Sequence, residues 1–570
     1  MSQVLQKEGP SQTSHDEPHR RERHTEKDTK AGVKGPESGF TMKKTWNVKT
    51  VSVKSAGADE EDQTNSDFSE TRHSNKVQSD SDTSVEDKQF ERLLEPELLK
   101  SSRSAESVWN KYNFESKITP KGKISQVGDR DGKNVETYIL KLCSGDGELK
   151  DAVRNSQLLQ VSEMQQCLDR FFTGFNLVYP LIHLPSFETC NVDLLVAVVL
   201  AGGYDSHDVA RRIMPLLRKK VFESDVYATG QLRLVQMMII CQIFALFNSS
   251  AREHQLALAH HGVLIHILRQ HRYFEKTAEP KNWNDWVDCE SRRRSAFIAL
   301  QCDVQRSILF GADVTMSAFE CLIQMPCSMS LWIASSSEWA SQRTQQHPVS
   351  FLSVLQSHLE CRNETSSTSG FHKQLVLHGL LNVMMNYKLN QPLLPYANWR
   401  SRCTTSLEHW KRDFDIYCKS VSNNLEDSSV FVQYSASVCA LYRQGHLLLA
   451  DFSGLKNVQR GPSYRSVSQH AIWHASQLLI EGYLSLDNWK VEGNLHYIWC
   501  LFSAIFVISN HFKGKSDGDL SKTLLVLSRG TPENIGTLPI NPRPIVKNLQ
   551  ILFSHQHSEL INQWAQLLVC

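Results

Sequence analysis

The sequence predicts an all-α fold, a large multi-helix domain preceded by a disordered N-terminal arm. Three observations lead there. From about Ser162 onward apolar residues recur at intervals of three, four and seven, without strand-like alternation. Before about Lys150 the chain is rich in Ser, Asp, Glu, Lys and Thr, and too poor in apolar side chains to offset the entropy of ordering a backbone. Prolines and glycines fall between the periodic stretches, where helices should stop.

The arm, residues 1–150, alternates a basic start with an acidic, serine-rich stretch at residues 59–87, a segregation that suits an interaction tail. Its basic cluster contains Arg20, Arg21 and Arg23, a candidate nuclear-localisation signal; solvated charge is the plainer reading. Residues 90–99 place Phe90, Leu93, Leu94, Leu98 and Leu99 close to helical spacing, as in a short segment that folds on a partner.

In the body, Leu232, Val235, Ile239, Ile243 and Leu246 lie along one helical stripe, and Leu256, Ala259, Val263 and Ile267 repeat the spacing in the next segment. Two adjacent helices would bury these stripes together. Phe297, Leu300, Val304 and Ile308 form a third stripe, and Tyr434, Val438, Leu441 and Leu448 a fourth. Breaks are expected at Pro215, Pro326, Pro348 and Gly461-Pro462, with loops at residues 364–370 and 513–519. No fixed period marks a repeat solenoid.

Composition excludes several function classes. Lys plus Arg total 62 against 61 for Asp plus Glu, so no global field steers the molecule onto nucleic acid or an acidic membrane. The 14 cysteines are scattered singly, unlike a disulfide scaffold, which favours a reducing compartment. The polar start lacks a secretory core, and the apolar runs at residues 235–247 and 497–509 are too short for a bilayer span. A soluble nuclear or cytoplasmic protein with no membrane partner is expected.

No catalytic constellation is visible. There is no Gly-x-Ser-x-Gly elbow and no phosphate loop; Gly202-Gly203 reads as a helix end. The helical body lacks the Asp-rich cluster of a magnesium-dependent cyclase. The expectation is therefore not an enzyme, with no cofactor and no metal. Cys321 and Cys327 have no partner pair, and His254, His260 and His261 read as polar edges more readily than as ligands, although residues 254 and 261 share a helix face. Cys143 is the first cysteine of the chain, so residues 1–142 supply no zinc-binding thiolate.

Three blocks carry a family resemblance. The stretch from Phe171-Phe172 through Tyr179-Pro180, His183, Pro185 and Phe187 resembles the opening signature of the fungal-specific transcription factor domain, also called the middle homology region. Paired phenyl rings supply a large buried area, two prolines fix an extended connection, and His183 can tie the turn through a ring hydrogen bond. Structural support is the leading reading of this motif, ligand contact the other. A second block, Trp283, Trp286, Glu290, Arg292, Arg293 and Arg294, resembles the family segment in which Trp and Glu precede basic residues on a helix running on to Asp303. Asp288 faces Arg292 and Glu290 faces Arg294, four residues apart in the favourable acid-first order. Arg293 shares the stripe of Phe297 and should need a buried acceptor. The third block, Pro326, Leu331-Trp332 and Trp339, resembles the family's Pro turn followed by spaced tryptophans.

The resemblance implies a middle homology domain at residues 160–345, with residues 346–570 continuing the same helical regulatory domain. It implies a transcription regulator in the nucleus, specific to a pathway of secondary metabolism or nutrient use. Implied partners are a homodimer or heterodimer mate, a small-molecule effector, and DNA reached indirectly. Relatives usually carry an N-terminal binuclear zinc cluster or two-Cys two-His fingers, and this chain shows neither, so DNA contact falls to a partner or to a module absent from it. The alternative is a helical scaffold or ligand-binding protein without a transcriptional role.

Overall fold

Helix ends in this chain follow local chemistry. The side chains of Asp146, Ser250 and Asn282 accept hydrogen bonds from the backbone N–H groups of Leu149, Glu253 and Asp285, so each helix starts where a short polar side chain satisfies an orphan donor. The longest helix stops at Gly311, whose φ of 63° is left-handed and whose N–H caps the Ser307 carbonyl. The computed structural model describes residues 124–568, apart from 344–347, 363–368, 391–397, 423–428, 451, 453, 456–466, 486–494, 513–517 and 555–556. The candidate localisation cluster Arg20, Arg21 and Arg23, the segment at residues 90–99 and Gly461-Pro462 lie outside the described residues.

Numbering the helices longer than a single turn, the order begins with α1 (Asp129–Leu142), α2 (Gly147–Arg154), α3 (Val161–Arg170), α4 (Val192–Gly202), α5 (Asp208–Phe222), α6 (Leu232–Phe247), α7 (Ala251–Gln270) and α8 (Trp283–Phe310). It continues with α9 (Ser336–Gln342), α10 (Phe351–Leu359), α11 (Gly370–Asn390), α12 (Trp399–Ser422), α13 (Ser429–Leu449), α14 (Gln469–Ser485) and α15 (Tyr497–His511). The last are α16 (Leu520–Ser528), α17 (Arg543–Ser554) and α18 (Glu559–Gln566). Among the described residues there is no strand, only an isolated bridge between Gln324 and Ser350. The all-α expectation holds.

Two helices organise the body. α6 packs against α4, α5, α7 and α8, and every residue from Val235 to Phe247 is buried. The sequence placed its apolar residues on one stripe; in fact the helix is apolar all round, as a central helix must be. Its two glutamines are satisfied, Gln236 donating to the Leu181 carbonyl at 2.9 Å and Gln242 to that of Ala257 at 2.6 Å. α8 carries the expected stripe of Phe297, Leu300, Val304 and Ile308, all buried, and runs from α6 and α7 to α11, α13 and α15. One continuous apolar cluster therefore extends from Val127 to Leu568.

Three expectations are corrected. The chain is already helical at α1 and α2, before the arm was expected to end, because Val135, Ile139, Leu149 and Val153 are buried against that cluster. Pro215 breaks nothing: it sits inside α5, where burial of Ile213, Met214, Leu217 and Val221 offsets a proline cost of about 3 kcal/mol. In α7 the buried residues are His254, Ala257, His261, Leu264, Ile265, Ile267 and Leu268; of the expected stripe Ile267 is buried, Leu256 and Val263 are half-buried and Ala259 is exposed. Buried histidines at 254 and 261 place the inward face part of a turn from the aliphatic stripe.

The Gly202-Gly203 pair does end α4, as expected. Gly202 is there for a second reason: a Cβ on it would lie 1.8 Å from the Cys167 carbonyl oxygen of α3. Only glycine allows these two helices to approach so closely. Of the expected loops, residues 364–368 and 513–517 lie outside the described residues, Gly370 opens α11, and Asp519 caps α16.

Candidate functional site

The first block forms an aromatic ladder. α3 ends in a π-helical turn, Phe171–Phe175, which places Phe171 and Phe175 in a stack at 5.3 Å between centroids. Phe172 meets Phe187 edge-on at 5.2 Å, and Phe175 continues to Tyr179 at 5.2 Å and Phe244 of α6 at 5.4 Å. Pro180 is buried, and Pro185 lies in the short turn Leu184–Ser186. The His183 ring is hydrogen-bonded through Nδ1 to the Ser186 hydroxyl at 2.8 Å, the tie the sequence suggested.

Sequence reasoning missed Asn176. Its Oδ1 accepts from the Leu181 and Ile182 N–H groups at 3.1 and 2.9 Å, and its Nδ2 donates to the Ile182 carbonyl at 2.9 Å. One buried amide thereby stands in for a turn of backbone bonding. The available signal was an Asn just ahead of Tyr179-Pro180, a turn whose N–H groups need acceptors.

The second and third blocks meet the first at the other face of His183. Its ring centroid lies 4.7 Å from Trp332, 5.6 Å from Trp283 and 5.9 Å from Trp286, and Trp286 in turn lies 5.7 Å from Trp339. Burial, reinforced by the Arg294 cation, pushes the His183 imidazole down to about 3, so it stays neutral.

Glu290 and Arg294 lock this cluster. The Glu290 carboxylate, fully buried, accepts from Arg294 Nε at 2.8 Å and from the Cys327 N–H at 2.9 Å, and pairs with Arg293. Arg294 Nη2 donates to the Cys327 carbonyl at 2.9 Å, and its guanidinium lies 4.3 Å from the Trp332 ring centroid. Both backbone groups of Cys327, just after the buried Pro326, are thus clamped by one ion pair. Burial alone would raise the Glu290 carboxyl, but Arg293, Arg294 and the Cys327 N–H hold it below its usual range. The helical pairing expected for this block is present: Glu290 with Arg294, and Asp288 with Arg292 at 2.8 Å. The deeply buried cation, however, is Arg294, with Arg293 nearer the surface. The Cys327 sulfur faces Arg294 Nη2 at 3.6 Å, an environment suited to no zinc ligand.

Asp303 does not join the tryptophans. Further along α8 it accepts from the N–H groups of Thr315 and Met316 and from Arg306 at 2.8 Å, which folds the loop after Gly311 back onto the helix. His261 Nε2 lies 3.2 Å from the same carboxylate. Burial opposes its ionisation, yet His261 and Arg306 hold it down at about 2. His254 is bonded through Nδ1 to the Leu246 carbonyl at 2.7 Å, and His260 faces Arg218 at 3.3 Å. These three histidines therefore turn to separate partners.

Beside the tryptophan cluster lies a cavity of about 600 Å³, walled by Trp286, Leu331, Trp339, Cys327 and His372, with Lys276, Arg293 and Arg343 at its edges. His372 Nε2 donates to the Pro326 carbonyl at 2.7 Å, which fixes one wall to the third block. Aromatic walls with a few cations can hold a small molecule carrying an apolar body and negative charge.

Comparison with known proteins agrees with this geometry. Residues 168–412 match the model of the fungal specific transcription factor domain, so the match includes all three blocks and continues past residue 345 into α12. A nicotinate catabolism cluster-specific transcription factor of Emericella nidulans is 26% identical over 414 residues, 62% of this chain and 48% of the relative. Two zinc finger proteins of Schizosaccharomyces pombe, klf1 and zas1, are each 23% identical, over 62% and 46% of this chain and 51% and 31% of their own lengths. The chain thus spans about half or less of these curated relatives. No solved structure matches. No helix among the described residues is long and apolar enough to cross a membrane. Residues 168–412, which hold all three blocks, thus match the fungal specific transcription factor domain.

Proposed function

We propose that the chain is a fungal transcription regulator that acts in the nucleus through its helical domain, and that it serves a particular pathway of nutrient use or secondary metabolism. The observation that carries this reading is the convergence of the three family blocks on His183, Trp332 and the Glu290–Arg294 pair, inside the matched residues. The name of the Emericella nidulans relative, a regulator of a catabolic cluster, supports the nutrient side. DNA is reached through a partner, including a dimer mate, or through a zinc module outside this chain. The cavity beside Trp286 and Trp339 is where a small effector would bear on the cluster. Its occupant would be an anionic molecule with an apolar body, matched to the tryptophan walls and the Lys276, Arg293 and Arg343 cations.

The test is transcript profiling of a strain lacking the chain against one with it restored, across carbon and nitrogen sources. A coherent set of genes should change on loss and recover on restoration. Unchanged transcripts with the tagged protein excluded from nuclei would overturn this reading and favour a helical scaffold.

A further inference from the structure

Away from the tryptophan cluster, α13 and α14 bring three histidines together. His470 and His474 are four residues apart on α14, so they share one face of that helix, and His446 comes from α13. One ligand atom from each lies within 4.8 Å of the other two. The His446 and His474 rings are parallel at 3.9 Å between centroids, and His470 lies 4.6 Å from His474. A carboxylate lies beside the group: Glu408 of α12 places Oε1 3.4 Å from His446 Nε2.

We propose that His446, His470, His474 and Glu408 bind a divalent transition metal of the zinc class. Three imidazole nitrogens and one carboxylate oxygen are an ordinary zinc donor set. Ligands about 2.1 Å from a tetrahedral ion lie about 3.4 Å apart, so metal binding would draw the donor atoms closer and turn the His446 and His474 rings out of their parallel stack. Two of the imidazole nitrogens are buried and make no hydrogen bond: Nε2 of His446, which faces only the Glu408 carboxylate at 3.4 Å, and Nε2 of His474. Leaving a buried polar atom unsatisfied costs about 1–3 kcal/mol, a loss that a metal bond removes. The Tyr442 hydroxyl donates to Glu408 Oε1 at 2.8 Å and fixes the carboxylate from outside.

A cation stands close, Arg443, with Nη1 3.5 Å from His474 Nδ1. Its charge is neutralised by Glu481, which accepts from Nε at 2.9 Å and pairs with Nη2. The contrast with a second cluster, Glu163, Cys167 and His207, is instructive. There the guanidinium of Arg170 already donates to Glu163 at 2.7 Å and to Cys167 at 3.2 Å, so that space holds a fixed positive charge. The sequence signal for the α14 pair was present as His-x-x-x-His at residues 470 and 474. Its partners on α12 and α13 are distant in sequence.

The full chain, purified without a polyhistidine tag and stripped with a chelator, should take up one Zn²⁺ or Co²⁺, measured by elemental analysis and by competition with a chromophoric chelator. The Co²⁺ form should show the intense visible absorption of a tetrahedral N/O site. His470 is exposed, so His470→Ala should keep the helical circular dichroism and weaken metal binding by roughly 100-fold. Glu408→Gln should weaken it less. Failure of the folded wild-type chain to bind either ion, or binding unchanged in His470→Ala, would overturn the assignment.

Discussion

Changing Glu290 to Gln would remove one negative charge from a place that water does not reach. Glu290 and Arg294 have side-chain exposures of 0% and 1%, so Arg294 would keep its charge with no anion beside it, facing the Cys327 carbonyl and sulfur and the Trp332 and Phe371 rings. The new amide would also aim an N–H₂ group at an arginine donor. Removing one member of a buried, hydrogen-bonded ion pair costs about 3–5 kcal/mol, most of it the penalty of the charge left behind. On the same helix Asp288→Asn breaks a pair of the same spacing whose members are 51% and 32% exposed, and such pairs contribute about 0–1 kcal/mol. Urea titration followed by tryptophan fluorescence reads both, because Trp283, Trp286, Trp332 and Trp339 surround the site. Glu290→Gln should lower stability several-fold more than Asp288→Asn, and the double variant Glu290→Leu with Arg294→Met should recover most of the loss. Equal small shifts from the two single variants would refute the claim that this pair locks the three blocks together.

Other predictions concern packing and pH. Gly202→Ala should cost about 3 kcal/mol or more in urea titration, since the clash is with backbone and no side chain can swing away, whereas Gly128→Ala, with nothing within 4 Å, should stay within about 0.5 kcal/mol. Asp303→Asn should loosen the loop after Gly311, seen as faster amide exchange at Thr315 and Met316, and unchanged exchange there would contradict the role given to Asp303. Burial lowers His183 and His378 to about 3 and His254 to about 4 in the folded chain. The unfolded chain binds these protons near pH 6.5, so this contribution to stability is complete above about pH 6.5 and is lost as pH falls towards the folded values. Each histidine adds a slope of up to about 1.4 kcal/mol per pH unit. The urea midpoint should therefore fall between about pH 7 and pH 5, and less steeply in His378→Asn; a flat profile in that window would contradict it.

What could be read from the sequence was what is local. The acid-first pairs of α8, the ring tie of His183 and the stripe through Phe297 and Ile308 all join residues within a few turns, and each is present. That the blocks meet was legible only as resemblance, because nothing in spacing says that Trp332 will rest against His183. The errors share a cause. A helix buried on every side, such as α6, gives no polar face to reveal its surroundings, and Pro215 is tolerated for packing that residues far away supply. Buried polar groups were hardest: Arg218 finds Glu253, Lys373 finds Asp413, and Arg443 finds Glu481, each on another helix. The same distance hid Glu408 and His446 from the histidine pair of α14.

The measurement closest to the central claim is genome-wide occupancy of the tagged full chain in its own cells, with the purified chain tested on the same DNA fragments. Occupancy should concentrate at the promoters of a related set of genes, together with weak or absent binding by the purified chain alone. No occupancy above an untagged control would contradict the account of the chain as a transcription regulator.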